Sequence, residues 1–216
     1  MIGSVHIPKT AGSSFRQVLR RRFGSGLRPA YWIHGPTTLA TAERPFHREA
    51  WIEKIRAVDL EGAEAVHGHA LAGVLAHLPE VRLVAWVRDP AARVASHWRQ
   101  EHRRYRRGRI EEDQRPDEDL LTWAARDRLR DLQTVFFDGI PPEAFAFVGI
   151  AERFESEVDR FFEQVLGERR PAGRALPFEN ADPAGPYEIS PALRRQLEEL
   201  NRGDLALYRR AVELAG

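Results

Sequence analysis

Three short stretches hold the side chains in this chain best suited to gripping an anion and moving a proton. The first is residues 6–15, HIPKTAGSSF, where an apolar run enters a loop of lysine, glycine and serine and a helical pattern follows. A helix opening behind such a loop turns its first N–H groups and the positive end of its dipole toward one point, which suits a phosphate or sulfate. Lys9 adds a compact charge and Gly12 allows close backbone approach. Thr10, Ser13 and Ser14 add hydroxyl donors. The second stretch is residues 88–98, RDPAARVASHW. Arg88 follows the most apolar strand candidate, and ligands of open α/β sheets bind beyond the carboxyl ends of strands. Arg93 and Ser96 are three apart and share a helix face, so an Arg–Ser pair there could grip a phosphate. The third stretch is residues 66–73, VHGHALAG, where His67 and His69 alternate on an extended chain and point the same way. A neutral imidazole suits general-base work near neutral pH.

Each stretch has a plainer alternative. The first is not the Walker loop of nucleoside triphosphatases: that pattern places glycine before a Gly-Lys pair, whereas here Lys9 precedes Gly12 and position 4 is serine. It could be an ordinary strand-to-helix turn with Lys9 in solvent. Arg88 could pair with Asp89. The histidine pair could serve a metal, with Glu64 or His77 as further ligands, but no zinc spacing emerges. An ATP-dependent small-molecule kinase of P-loop type and a non-catalytic nucleotide-binding protein on the same fold are the alternatives at the level of function.

The HIPKTAGSSF segment resembles the 5′-phosphosulfate loop of sulfotransferases that use 3′-phosphoadenosine 5′-phosphosulfate (PAPS), especially the carbohydrate branch with its H-x-P-K-[TS]-[AG]-[GS]-[ST] pattern. The resemblance implies that Lys9 contacts the phosphosulfate and stabilises the leaving group, while Thr10, Ala11, Gly12, Ser13 and Ser14 wrap the phosphate. RDPAARVASHW is similar to that family's 3′-phosphate element, which implies that Arg88 and Ser96 bind the 3′-phosphate and Arg93 supports the fold or a nearby acidic group. The HGH triplet resembles the catalytic histidines of uronyl and hexuronic-acid 2-O-sulfotransferases. It implies His69 as the base and His67 as its assistant, with the reverse assignment open. The resemblance further implies a three-layer α/β/α fold with a P-loop-like loop, a carbohydrate or glycoconjugate acceptor, and no required metal. FVGIAERFE (147–155) and the tail with Asn201 and Asp204 to Tyr208 resemble later elements of the same family. Glu152 and Arg153 are expected to form a structural pair, and Leu207 and Tyr208 to pack the tail on the core. Asn180, Tyr187 and Ser190 resemble a loop near the nucleotide.

The elements that must position these residues alternate between periods of two and 3.6. Strands are expected over 1–7, 64–69, 81–87 and 144–150, and helices over 13–23, 51–58, 71–78, from Ala91 on, 120–137, 154–166 and 191–215 with a break at Gly203. Residues 27–50 and 167–189 read as irregular. Alternating strands and helices predict a parallel sheet covered on both faces. No linker or repeat divides the chain, so residues 1–216 read as one domain. The charge balance, 33 basic against 32 acidic, gives no global case for nucleic acid. The absence of cysteine excludes disulfides, thiol nucleophiles and cysteine-ligated zinc. No run is long and apolar enough to span a membrane, and the first strand leaves no room for a signal peptide, so a cytoplasmic protein is expected.

Only Lys9 and Lys54 are lysines among those 33 basic residues. Six arginines fall within 99–109 (Arg99, Arg103, Arg104, Arg106, Arg107 and Arg109), and an acidic run follows from Glu111. They read as a solvated charged helix or as a face that steers an anionic acceptor. Trp32, His34, Trp51 and Trp98 are core residues or aromatic platforms, with Trp98 nearest the expected adenine side.

Overall fold

A computed structural model describes residues 1–31, 44–106, 118–173, 175–177, 185 and 187–216. Its strands are β1 (Ile2–Val5), β2 (Leu27–Pro29), β3 (Ala65–Gly68), β4 (Arg82–Val87) and β5 (Phe147–Ile150). They form one parallel sheet in the order β2-β3-β1-β4-β5. Every residue of β1, β3 and β5 is buried. Strands of that kind need a helical layer on each face, and the sheet has both.

The helices are α1 (Gly12–Phe23), α2 (Arg44–Arg56), α3 (Ala72–Leu75), α4 (Pro90–Arg106), α5 (Leu120–Ala124), α6 (Leu132–Phe137), α7 (Phe154–Phe161), α8 (Pro191–Leu200) and α9 (Arg202–Ala215). One core joins Val5, Val66, Ala85, Val87 and Val148 of the sheet to α2, α3, α6 and α9. The other joins Ile2, Ala65, Val84, Trp86 and Phe147 to α1 and α7. α1 turns Phe15, Val18, Leu19 and Phe23 into that second core at helical spacing, and each such burial stabilises by about 1.5–3 kcal/mol. A third core lies between α4, α5 and α8, with Val94, Trp123 and Leu197 at its centre.

The structure departs from the sequence expectations where long-range contacts overrule local pattern. Residues 27–29, expected to be irregular, form the edge strand β2, where Pro29 is tolerated. α2 begins at Arg44 and ends at Arg56, earlier than the expected 51–58. β5 begins at Phe147 rather than 144, after a short 3₁₀ turn. The helix expected over 154–166 changes to π geometry at Phe162–Leu166 and stops at Gly167.

The expected helix over 120–137 is interrupted: Asp131 takes a left-handed φ of 45° and α6 starts after it. The cause is a reciprocal cap with α9. Asp204, in the first turn of α9, accepts the N–H groups of Gln133 and Thr134 at 3.2 and 2.8 Å. Asp131 accepts the N–H of Asp204 at 2.9 Å. Each helix therefore receives a carboxylate at its positive end from the other. The same contacts place the break in the C-terminal helix at Asn201, not Gly203: Asn201 accepts the Asp131 N–H at 3.1 Å and donates to the Leu197 carbonyl at 2.8 Å.

Arg93 of α4 completes the knot. It is fully buried, its Nε lies 3.7 Å from Asp204, and it donates to the Leu129 carbonyl at 3.2 Å. This is the supporting role expected of Arg93, and it commits the Arg93 guanidinium to Asp204 and the Leu129 carbonyl. Replacing one partner strands the other charge in the core. Asp204→Ala is expected to destabilise by about 3–5 kcal/mol in urea unfolding; a loss below about 1 kcal/mol would show that the carboxylate is not what holds α4, α6 and α9 together.

Candidate functional site

The strand order puts β1 between β3 and β4, so the carboxyl ends of three neighbouring strands carry the three stretches. The register aligns Val5 with Gly68 on one side and Ala85 on the other. Neighbouring strands are about 4.8 Å apart, which brings the loop after β1, His67 at the end of β3 with His69 just beyond it, and Arg88 after β4 to one edge.

The loop after β1 turns through two left-handed residues, Lys9 at φ 71° and Ala11 at φ 66°. Thr10 is fully buried, and its hydroxyl donates to the Ile7 carbonyl at 3.0 Å, closing the turn. Its hydroxyl proton thus goes inward, and its N–H is what it can offer an anion. Ala11 precedes α1 in left-handed conformation and no side chain caps the helix. A left-handed residue followed by a helical one turns consecutive N–H groups to the same side. Gly12 lies flat on His6: a Cβ there would stand 1.9 Å from the His6 ring carbon Cδ2. Ser14 is buried and Ser13 half-buried at the start of α1.

Two cations meet the loop. Lys9 Nζ donates to Gln100 Oε1 of α4 at 2.7 Å. Arg88 Nη1 donates to the Lys9 carbonyl at 3.3 Å. Arg88 is held from behind by Gln133, which is fully buried in α6: its Oε1 accepts the Arg88 N–H at 2.8 Å and its Nε2 donates to the Arg88 carbonyl at 3.0 Å. Glu152 does not pair with Arg153 as expected. It accepts the Asp89 N–H at 3.0 Å and lies 3.9 Å from Arg88 Nε. Asp89 pairs with Arg194 at 2.9 Å and caps α4 through the Ala92 N–H. Ser96 is half-buried on α4, and no hydrogen bond joins it to Arg88.

The histidines gather beside this loop. His67 is buried and its Nδ1 shares a 2.8 Å hydrogen bond with Ser4, its register partner on β1. Burial above all, then the charges of His69 and Arg16, push its pKa down to about 3, against a smaller opposing pull from the Gly12 carbonyl. His69 is half-buried, and its Nδ1 donates to the His6 carbonyl at 2.7 Å. A carbonyl only accepts, so Nδ1 carries the proton and Nε2 the lone pair of the neutral ring. His6 stacks on both, with ring centroids 5.0 Å from His67 and 4.4 Å from His69. Burial, then its histidine neighbours, holds His6 well below the ordinary histidine range. Tyr31 shares a 2.7 Å hydrogen bond with His6 Nδ1 and stands edge-on to His69.

The sequence gives no hint of Gln133, Gln100 or Glu152 as neighbours of the loop, because each arrives through tertiary packing. His6 carried a signal, as the histidine that opens the HIPK stretch. Trp98 stacks on His102 and donates to the Glu118 carbonyl at 3.2 Å. Trp51 is core and Lys54 is exposed on α2. Trp32, His34, Asn180, Arg107, Arg109 and the acidic run from Glu111 to Asp117 lie outside the described residues.

Buried neutral histidines make the fold sensitive to acid. The unfolded chain takes up a proton at His67 near pH 6.5, while the folded chain resists until about 3. The unfolded state therefore binds more protons between those values, and stability falls as pH falls through that window. By pH 5, His67 alone is expected to remove about 2 kcal/mol relative to neutral pH, and His6 adds in the same direction. Urea unfolding at pH 7 and 5 reads this, and His67→Gln should flatten the dependence; equal stability at both pH values would mean the ring is not held neutral.

No protein-family model matches this chain, and no curated protein matches it.

Proposed function

We propose that this protein is a PAPS-dependent sulfotransferase that acts on an acceptor hydroxyl of a carbohydrate or glycoconjugate. The observation that carries this is the convergence of the loop after β1, the HGH histidines at the end of β3 and Arg88 after β4 on one sheet edge, with Arg88 in contact with the Lys9 backbone. The donor set fits a phosphosulfate. The left-handed Lys9 and Ala11 shape an anion-binding turn, Gly12 has no room for a side chain, and cationic groups reach the loop from two strands.

PAPS supplies an activated sulfuryl group, whose S–O bond to the phosphate breaks as the acceptor oxygen bonds to sulfur. The N–H groups of Ala11 to Ser14 hold the 5′ anion, and Lys9 stabilises the negative charge that the leaving oxygen acquires. Arg88 and Ser96 hold the 3′-phosphate, and Gln133 keeps the Arg88 backbone in place for that task. His69 takes the acceptor's proton on Nε2, and its Nδ1–H stays bonded to the His6 carbonyl. His67, sealed against Ser4, orients the base from below.

Calorimetric titration separates this from a kinase. Adenosine 3′,5′-bisphosphate is expected to bind about ten- to a hundredfold more tightly than ADP, since a charged hydrogen bond to the 3′-phosphate that ADP lacks is worth about 1.5–3 kcal/mol. Tighter binding of ADP would sink the proposal. With labelled PAPS and a panel of hydroxyl acceptors, His69→Ala should lower kcat by about 10²–10⁴ while nucleotide affinity holds. Turnover that survives His69→Ala would remove the base assignment.

Lys9→Arg tests the loop separately. The wider planar fork keeps the charge and misplaces it, so most turnover should be lost, whereas Lys54→Arg should change nothing. Near-normal turnover in Lys9→Arg would show that any cation serves there.

A further inference from the structure

His6 touches both halves of the site, and the steps above use only its carbonyl. Its N–H donates to the Gly68 carbonyl at 2.8 Å, so its backbone remains part of the sheet just beyond β1. Its carbonyl accepts from His69 Nδ1. One region of its ring is covered by Gly12 so closely that only glycine fits. The ring also stacks on His69, tilted by 26° at 4.4 Å, and on His67, tilted by 23° at 5.0 Å. Tyr31 restrains the ring's rotation through the 2.7 Å bond to Nδ1. His6 as a whole is 8% exposed.

We propose that His6 is a positioning residue that couples the base to the anion-binding loop. Its carbonyl selects the His69 tautomer, its ring is the surface on which Gly12 and His69 both rest, and Tyr31 locks that ring. The catalytic meaning of this coupling rests on the sulfotransferase reading; the coupling itself is a property of the fold. Two consequences follow physically. A shift of the loop on anion binding presses on the His6 ring and, through the stacked rings, on His69. Freeing the His6 ring lets His69 rotate away from the carbonyl, so that its lone pair no longer sits on one nitrogen.

The test uses the full chain labelled with ¹⁵N, imidazole NMR to read the His69 tautomer, and adenosine 3′,5′-bisphosphate as the probe. In the wild type His69 should be a single Nδ1–H tautomer whose ring signals shift when the bisphosphate binds. Tyr31→Phe removes one hydroxyl from a half-buried side chain and should leave the fold intact. It should bring a measurable Nε2–H population and weaken bisphosphate affinity about threefold. His6→Ala should go further in both readouts, about tenfold in affinity, with kcat falling more than KM rises. An Nε2–H tautomer in the wild type overturns the proposal. So does Tyr31→Phe with both the tautomer and the affinity unchanged, even where His6→Ala fails to fold. A wild type that ignores the bisphosphate, yet whose His69 tautomer responds to Tyr31→Phe, would sink the sulfotransferase reading and leave the positioning role standing.

Discussion

The sharp turn by which β1 becomes α1 is the constraint on which the carboxyl edge of the sheet depends. β1 is hemmed in by β3 and β4, so the chain must leave the sheet and re-enter as a helix within the few residues between Val5 and Gly12. It does so with two non-glycine residues in left-handed conformation, each costing about 1–2 kcal/mol. The Thr10 hydroxyl bond to Ile7 and the Phe15 N–H bond to the Ala11 carbonyl at 2.9 Å help offset that strain. Burial of Phe15 against Trp86 and Phe161 anchors the far side. Strain of this kind gathers where backbone N–H groups must point at a ligand.

A second set of contacts, remote from the turn, decides where Arg88 stands. Arg88 follows β4, and its backbone is gripped on both N–H and C=O by Gln133. Gln133 sits in the first turn of α6, and that turn is held by the Asp204 carboxylate. Asp204 is in turn matched by Arg93 from α4, the helix that carries Ser96 and Gln100. One buried acid therefore fixes both the arginine at the strand end and the helix that faces the loop. A buried ion pair of this kind adds little net stability over a well-packed apolar pair. Its value here lies in geometry, because three hydrogen-bond donors and the Arg93 guanidinium converge on one carboxylate.

Much of this is legible in the sequence, and what is not has a physical cause. β4 reads clearly because a central parallel strand is apolar on both faces, and α1 reads clearly because its apolar residues keep helical spacing. β2 does not, being three residues long with proline at its end. The interruption before α6 does not, because the partners that impose it, Asn201 and Asp204, lie 70 and 73 residues from Asp131. The same limit applies to the site. Lys9, Arg88 and the histidines stand in local patterns that chemistry can interpret. Gln133, Gln100 and Glu152 stand in unremarkable helical or turn sequence and become neighbours of the loop only through the crossing of α6, α4 and β5. Glu152 illustrates the error that local reading invites: an adjacent arginine is the obvious partner, yet its carboxylate turns toward Arg88 and Asp89.

The division of charge at this edge argues for one kind of chemistry. Lys9 and Arg88 bring their cations to the loop. Beside it stand His6 and His67, whose burial disfavours protonation. An anion placed at the loop is attracted by the first group and gains nothing from the second. On the sulfotransferase reading, a hydroxyl approaching His69 meets a ring whose Nδ1–H is already bonded to a carbonyl. A site for an anion alone would gain by keeping its histidines protonated. A site that must also accept a proton beside the anion needs them neutral and rigid; burial disfavours the charged form of His6 and His67, and the stacking of His6 on both partners restrains the rings.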